Sequence, residues 1–414
     1  MSCNNIWTEC CLGDVVELSQ GLAINKGTKH LLQETGLPLL RITDLLNNTE
    51  CQYVNEFEVS KKCISDIDDL IYTRTGQVGY IFTSRIGVVH NNCFKITITK
   101  QNVDKKFMYW FLFQDKTREF ANSIAMGSVQ KDLSHSAFKS IPFKYPSLPV
   151  QKRIAAILSS LDDKIENNRK TCEKLEEIAQ AIFKRWFVDS EFPNEEGLPY
   201  KSNGGEMVHC EELGKEIPKG WESVKLTDIA DIIGGGTPKT TVEDYWNGDI
   251  PWFSVVDAPN SGQVFVVDTE KHITTLGLKE SSAKLLPRGT TIISARGTVG
   301  KCAITAVPMA MNQSCYGIKS KNESFNYLIY LFVIKMVEAL KQRSHGSVFD
   351  TITIATIEMI HFSFSEIIAK KMAEVISSLF DKIAALQYEN CTLEQIRDAI
   401  LPELMSGEIA MDEG

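Results

Sequence analysis

Between Ile154 and Trp186, seam positions return at alternating steps of four and three: Ile154, Leu158, Leu161, Ile165, Asn168, Cys172, Leu175, Ala179, Ile182 and Trp186. That is a sustained heptad seam, the mark of a helix packed lengthwise against another. A second seam follows 218 residues on, at Met372, Ile376, Leu379, Ile383, Leu386, Asn390, Leu393, Arg397, Ile400 and Leu404. It fails only at Arg397, where neighbouring Ile396 is expected to substitute. The first seam spans about 48 Å at 1.5 Å per residue. An exposed apolar stripe of that length would aggregate, so the two seams are expected to pair; chain length allows either direction, and an antiparallel pair would have approximate two-fold symmetry. Asn168 and Asn390, polar within the seams, are expected to fix register at some cost in stability. The competing arrangement folds each helix onto its own domain.

Ahead of each helix the pattern changes to short β-branched or alternating runs, such as DLIYT, CFKITIT, TTIISA and CAITAV, bounded by Gly, Pro and Asn. Helical stretches, KKFMYWFLFQDKTREFANSI and SFNYLIYLFVIKMVEALKQ, accompany them, which makes the class α+β. The chain also repeats itself. Trp7 with LGDVVEL recurs at Trp221 with LTDIADI, and RTGQVG (Arg74–Gly79) recurs as ARGTVG (Ala295–Gly300). Asn91-Asn92 falls on Asn312-Gln313, Gly127-Ser128-Val129 on Gly346-Ser347-Val348, and AAILSSLDDKI on AEVISSLFDKI. Each unit is therefore one globular segment followed by one long helix. Pro149 marks the start of the first helix, and EFPNEEGLPYKSNGG beyond it reads as a linker.

Composition places the chain among ordinary globular proteins, with 43% hydrophobic and 23% charged residues in 414. No apolar run is long enough to span a bilayer, no secretory pattern opens the chain, and eleven cysteines without a CxxC pair suit reduced thiols in the cytoplasm. The net charge of −9 is unevenly spread. Residues 1–150 carry 16 basic and 15 acidic groups and 221–365 carry 13 and 14, whereas 191–220 has 3 against 7 and 366–414 has 4 against 10. Two near-neutral segments are thus flanked by acidic helix and linker, and charge alone gives nucleic-acid binding no support.

A search for catalytic chemistry returns nothing. There is no N-P-P-Y or D-P-P-Y tetrad for adenine methylation and no Glu-x-Lys pair for a nuclease, and the seven histidines lack metal-ligand spacing. The stretch Gly234-Gly235-Gly236-Thr237-Pro238-Lys239-Thr240 fails the phosphate-loop spacing, and Pro238 removes an amide donor. It reads as a strand-to-loop turn.

The duplication, together with LPVQKRIAAILSSLDDKIENN, AIFKRWFVDSEFP, IPKGW, GGGTPKT and the closing ILPELMSGEI, resembles the specificity subunits of type I restriction-modification systems over essentially the whole chain. The resemblance implies target-recognition domains at 1–149 and 217–366, spacer helices at 150–190 and 367–407 pairing as an antiparallel coiled coil, a linker at 191–216 and a tail at 408–414. It implies a non-catalytic subunit that binds double-stranded DNA, each domain reading one half of an asymmetric split site while the helices set the gap. Two methyltransferase subunits, and through them restriction-motor subunits, are the implied partners. No cofactor is expected on this chain; S-adenosylmethionine, ATP and Mg belong to the partners. The alternatives are a coiled-coil scaffold that never meets DNA and part of a fused restriction-methylation enzyme. The first half departs from the family by carrying SQGLAINKGTKH in place of GGGTPKT, and the second helix lacks the Pro and Gln that open the first.

Base readout favours two-point hydrogen bonding, Arg to guanine and Asn or Gln to adenine. Candidates in the first half are Lys26, Lys29, Arg41, Arg74, Gln77, Asn91, Asn92, Ser128, Gln130 and Lys131. Those in the second are Thr237, Lys239, Thr240, Ser254, Arg296, Thr298, Asn312, Gln313 and Ser347. The shared glycines, Gly76 with Gly297 and Gly79 with Gly300, are expected to shape backbone rather than choose bases. Phe183, Trp186, Phe187 and Phe192 are either a core plug or a docking surface for a partner.

Overall fold

The computed structural model describes residues 7–259, 262–343, 351–409 and 411. The chain divides into two compact units, residues 1–164 with 392–414 and residues 165–391. Both are α+β, and both are built on the same plan.

In the first unit, strands Val16–Gln20, Cys93–Ile98, Leu70–Thr73 and Ile81–Phe82 form an antiparallel sheet in that order. A second sheet runs Leu32–Gln33, Tyr53–Val54, Leu37–Leu40, Gly87–Val89, Ile64–Ser65, with Leu37–Leu40 and Gly87–Val89 parallel. Strand Leu70–Thr73 is buried throughout, and Tyr72, Phe94 and Phe138 meet around it at ring separations of 4.9 to 5.7 Å. Helix Lys105–Phe113, capped by the Asp104 carboxylate on Phe107 N at 2.9 Å, closes this core with Phe107 and Trp110.

The second unit repeats the arrangement with strands Ala230–Gly234, Cys315–Ser320, Thr291–Ser294, Cys302–Thr305 and Phe265–Val266 in one sheet. A three-stranded companion has Trp246–Phe253 at its centre, parallel to Ala310–Met311. Helix Asn326–Arg343 supplies Leu328, Leu331, Phe332 and Met336 to the core. The segment read from composition as a linker is folded. Met207–Cys210 and Lys215–Pro218 pair as a hairpin, and Phe192, Cys210 and Ile217 are core residues.

The two seams are realised as helices Leu148–Phe183 and Glu366–Ser406, the first continued by one wider π turn through Val188. Within the second unit they run antiparallel: Asn168 Nδ2 donates to Asn390 Oδ1 at 2.8 Å, and Cys172 Sγ lies 3.8 Å from Ile383 O. Within the first unit Ile154 and Leu158 share a core with Leu401 and Leu404. Arg397 keeps its seam position there, paired with Asp162 at 2.8 Å and lying 5.2 Å from the Phe113 ring centroid. Ile396, expected to replace it, is 44% exposed. The long aliphatic stem of arginine fills a seam when a carboxylate and a ring take its head.

The family phrases have structural causes. Gln151 is fully buried, its amide donating to Asn102 O and Pro146 O and accepting from Asp104 N, so it ties the helix start to the domain. Gly407 ends the second long helix at φ +84°, and a Cβ there would lie 2.8 Å from the Trp7 indole nitrogen.

Two predictions follow from the helices. Asn168→Leu removes the donor that the buried Asn390 carboxamide accepts, and is expected to cost about 1–3 kcal/mol by urea unfolding, with Asn168→Leu/Asn390→Leu recovering most of the loss. A single variant as stable as the parent would refute this. Glu176 is the second case. Burial outweighs its bonds from Tyr330 Oη (2.8 Å) and Gln180 Nε2 (3.1 Å), so its carboxyl titrates above the ordinary value. The folded state then binds this proton more tightly than the unfolded one, and stability declines as pH rises past the unfolded value of about 4.3 and through the raised one. Glu176→Gln, which keeps an acceptor for Tyr330, is expected to flatten that decline in thermal melts across pH.

Candidate nucleic-acid interface

In each unit the main sheet ends, on one side, in a group of turns held together by backbone hydrogen bonds. In the first unit Arg74 N donates to Asn92 O (2.8 Å), Leu133 N to Arg74 O (2.8 Å) and Gly76 N to Lys131 O (2.7 Å). These bonds join turn 74–79, turn 91–92 and loop 126–132. The loop is pinched at its neck by reciprocal bonds between Met126 and Asp132 at 2.9 and 2.7 Å. Gly76 at φ +78° and Gly79 at φ +102° make the first turn possible. Side chains complete the cluster: Asp132 accepts from Arg74 Nη2 at 2.5 Å and from Thr75 Oγ1 at 2.6 Å, while Gln20 accepts from Arg74 Nη1 at 3.1 Å and donates to Asn91 O at 2.6 Å.

Gln77, Ser128 and Gln130 are exposed on these turns, as is Lys131, whose Nζ bonds Asn122 O at 2.9 Å. Val129 at the loop tip is 100% exposed. Arg74, Gln77, Asn91, Asn92, Ser128, Gln130 and Lys131 are thus brought together. Lys26 and Lys29 are exposed on a separate loop closed by Asn25 and Thr28. Arg41 is held in two-point contact by Asp44 at 2.5 and 3.0 Å. Burial works against the Asp44 charge, but the bonds from Arg41, Cys51 and Thr49 prevail and hold the carboxyl below its ordinary range.

The second unit repeats the backbone scheme. Ala295 N donates to Ser314 O (2.8 Å) and Ile352 N to Ala295 O (2.9 Å), with Arg296 bridged to Thr351. Gly297 and Gly300 stand at φ +77° and +82°. Thr237 Oγ1 bonds the Gln313 side chain, which brings the GGGTPKT turn to the same place. Gly235 is required there, since a Cβ would lie 1.9 Å from Asn312 O; Gly21 makes the same approach to His90 O in the first unit. Lys239, Thr240, Arg296, Thr298 and Gln313 are exposed. Ser254 caps a short helix, its N and Oγ both donating to Asp257. Ser347 lies outside the described residues.

The backbone also corrects the sequence register. Cys93 N donates to His90 O and Cys315 N to Asn312 O, so His90 matches Asn312 and Asn91-Asn92 matches Gln313-Ser314, one residue away from the sequence alignment. His90 and Asn312 even share a task. His90 Nδ1 accepts from Asn92 N at 3.3 Å, and Asn312 Oδ1 accepts from Ser314 N at 3.0 Å. Gln20, Thr75, His90 and Asp132 were missed by sequence reasoning; they sit at strand ends, where only strand pairing reveals that they meet.

The aromatic set Phe183, Trp186, Phe187 and Phe192 is buried inside the second unit. Phe187 packs 5.4 Å from Phe183 and 5.3 Å from both Trp221 and Phe332, so these rings offer no docking surface. Among the described residues no group of three or more His, Cys, Asp or Glu side chains is placed to hold a metal ion, and no helix is long and apolar enough to cross a membrane.

The fold is one of two like units, each ending in a loop cluster rich in amide and cationic groups. The type I restriction modification DNA specificity domain matches twice, at residues 4–177 and 218–395, and the chain belongs to that family. It is 29% identical to the MjaIX specificity subunit of Methanocaldococcus jannaschii over 89% of this chain and 86% of that one. It is 27% identical to the HindI specificity subunit of Haemophilus influenzae over 97% and 99%. The crystal structure of the type I restriction-modification S subunit from M. genitalium shares the fold, with a TM-score of 0.56 at 15% identity over 98% of this chain and 97% of that one.

Phe187→Ala is expected to cost about 3–5 kcal/mol in denaturant unfolding. A variant of parental stability that failed only to assemble with a partner would restore the docking role.

Proposed function

We propose that this chain is the non-catalytic DNA-reading subunit of a type I restriction-modification complex, each unit reading one half of a split, asymmetric site in double-stranded DNA. The carrying observation is the duplicated loop cluster: the same backbone bonds hold turns 74–79 and 295–300, while the side chains on them differ. A shared frame with unlike polar groups is what two readers of unlike base sequences require. The paired helices act as a ruler for the unread gap, and the chain docks two methyltransferase subunits and, through them, restriction-motor subunits. S-adenosylmethionine, ATP and Mg chemistry then belongs to those partners, in the cytoplasm.

Methylome sequencing of cells carrying this chain with its methyltransferase is expected to return two short, different sequence blocks around an unspecified gap. A continuous or palindromic motif would refute the reading. Removing one heptad from each long helix shortens the pair by about 10 Å, and is expected to shorten the gap by about three base pairs. An unchanged gap in a folded variant would sink the ruler.

A further inference from the structure

The turns of the two units superimpose by hydrogen bonding, yet their arginines stand one position apart. Arg74 O and Ala295 O accept the equivalent bonds from Leu133 N and Ile352 N, and the next residues, Thr75 and Arg296, form the equivalent bridges to Asp132 and Thr351. In the first unit the arginine lies on the inner position. Its side chain is 19% exposed and both terminal nitrogens are engaged, one by Asp132 and one by Gln20. In the second unit that inner position is the buried Ala295. The arginine has moved to the outer position, where it is exposed and, among the described residues, has no carboxylate partner.

We propose that the two arginines have different roles: Arg296 is a specificity residue that contacts a guanine in the half-site read by the second unit, and Arg74 is a positioning residue that holds loop 126–132 through Asp132. An arginine already held in two directions by its own chain lacks the free fork that guanine O6 and N7 require, while an exposed one with no carboxylate partner among the described residues presents it. The first unit then reads with neutral or lone-cation groups, Gln77, Gln130 and Lys131.

This assignment rests on the DNA-reading function proposed above. The test co-expresses the full chain with its methyltransferase and maps methylation for the parent, Arg296→Ala, Arg296→Lys, Arg74→Ala and Arg74→Lys. Arg296→Ala is expected to lose about tenfold to a hundredfold of the preference for guanine at one position of one half-site, with the other half unchanged. Arg296→Lys, which cannot fork, is expected to behave nearly the same. Arg74→Ala is expected to weaken the half-site read by the first unit evenly across its positions while amide exchange across 126–132 accelerates, and Arg74→Lys is expected to restore both. Uniform weakening at all sites by Arg296→Ala, as a phosphate contact would give, overturns the assignment; so does an unchanged motif, or a preference lost at one base position alone in Arg74→Ala and not restored in Arg74→Lys. A parent complex that modifies no split motif would instead overturn the function beneath it, and this assignment with it.

Discussion

Two long helices place polar side chains where an apolar seam would otherwise run unbroken, and these side chains decide how the helices slide. Within the second unit Asn168 and Asn390 bond each other, and Asn390 also reaches Ile165 O at 3.3 Å. A slip of one heptad would face each carboxamide with an aliphatic or cationic residue, leaving buried amides unsatisfied at about 1–3 kcal/mol apiece. Leucine in both positions would pack as well but would choose no register. In the first unit Arg397 has the corresponding part: Asp398 beside it on the same helix takes its Nε, while Asp162 and the Phe113 ring meet the rest of its head across the pair. Register thus rests on a few polar contacts, and apolar burial supplies the stability around them.

The globular parts divide labour in the same way. What the two units hold in common is backbone: glycines at positive φ, a strand end returning bonds to two neighbouring turns, and a ring nitrogen or carboxamide oxygen, His90 or Asn312, accepting from an amide two residues on. That an imidazole replaces an amide without disturbing the turn shows that the frame asks for an acceptor rather than for a residue. The side chains carried on that frame, Gln77 against Thr298 and Thr75 against Arg296, are where the units differ.

The helices were legible because a 4-3 spacing over nine intervals has few other meanings, and the repeat because its landmarks kept their order. Three features were not. Arg397 read as a break, since no spacing rule tells that a carboxylate and a ring await its head. Residues 191–216 read as linker from their Pro, Gly and Asn, although those residues also make the turns of a folded segment anchored by Phe192 and Ile217. The register of the repeat slipped by one because Asn91-Asn92 resembles Asn312-Gln313 in letters, while the extra residue of the second unit falls between Gly300 and Cys315. Pairing across a sheet decides such a shift, and the linear sequence carries no direct record of it.

Charge gives the last step. Affinity for DNA scales with phosphates neutralised by free cations. Here Arg41, Arg74, Lys95 and Arg118 in the first unit all face carboxylates of the same chain, at 2.5 to 3.0 Å, and the whole chain stands at −9. Cations paired in this way are not free to neutralise phosphates. On the proposed function, the sequence-independent part of the grip then falls to partner subunits, and what this chain contributes is choice. On that proposal a net negative charge fits the role, since a strongly cationic chain would linger on every sequence and its preference between sites would be diluted by contacts that read none.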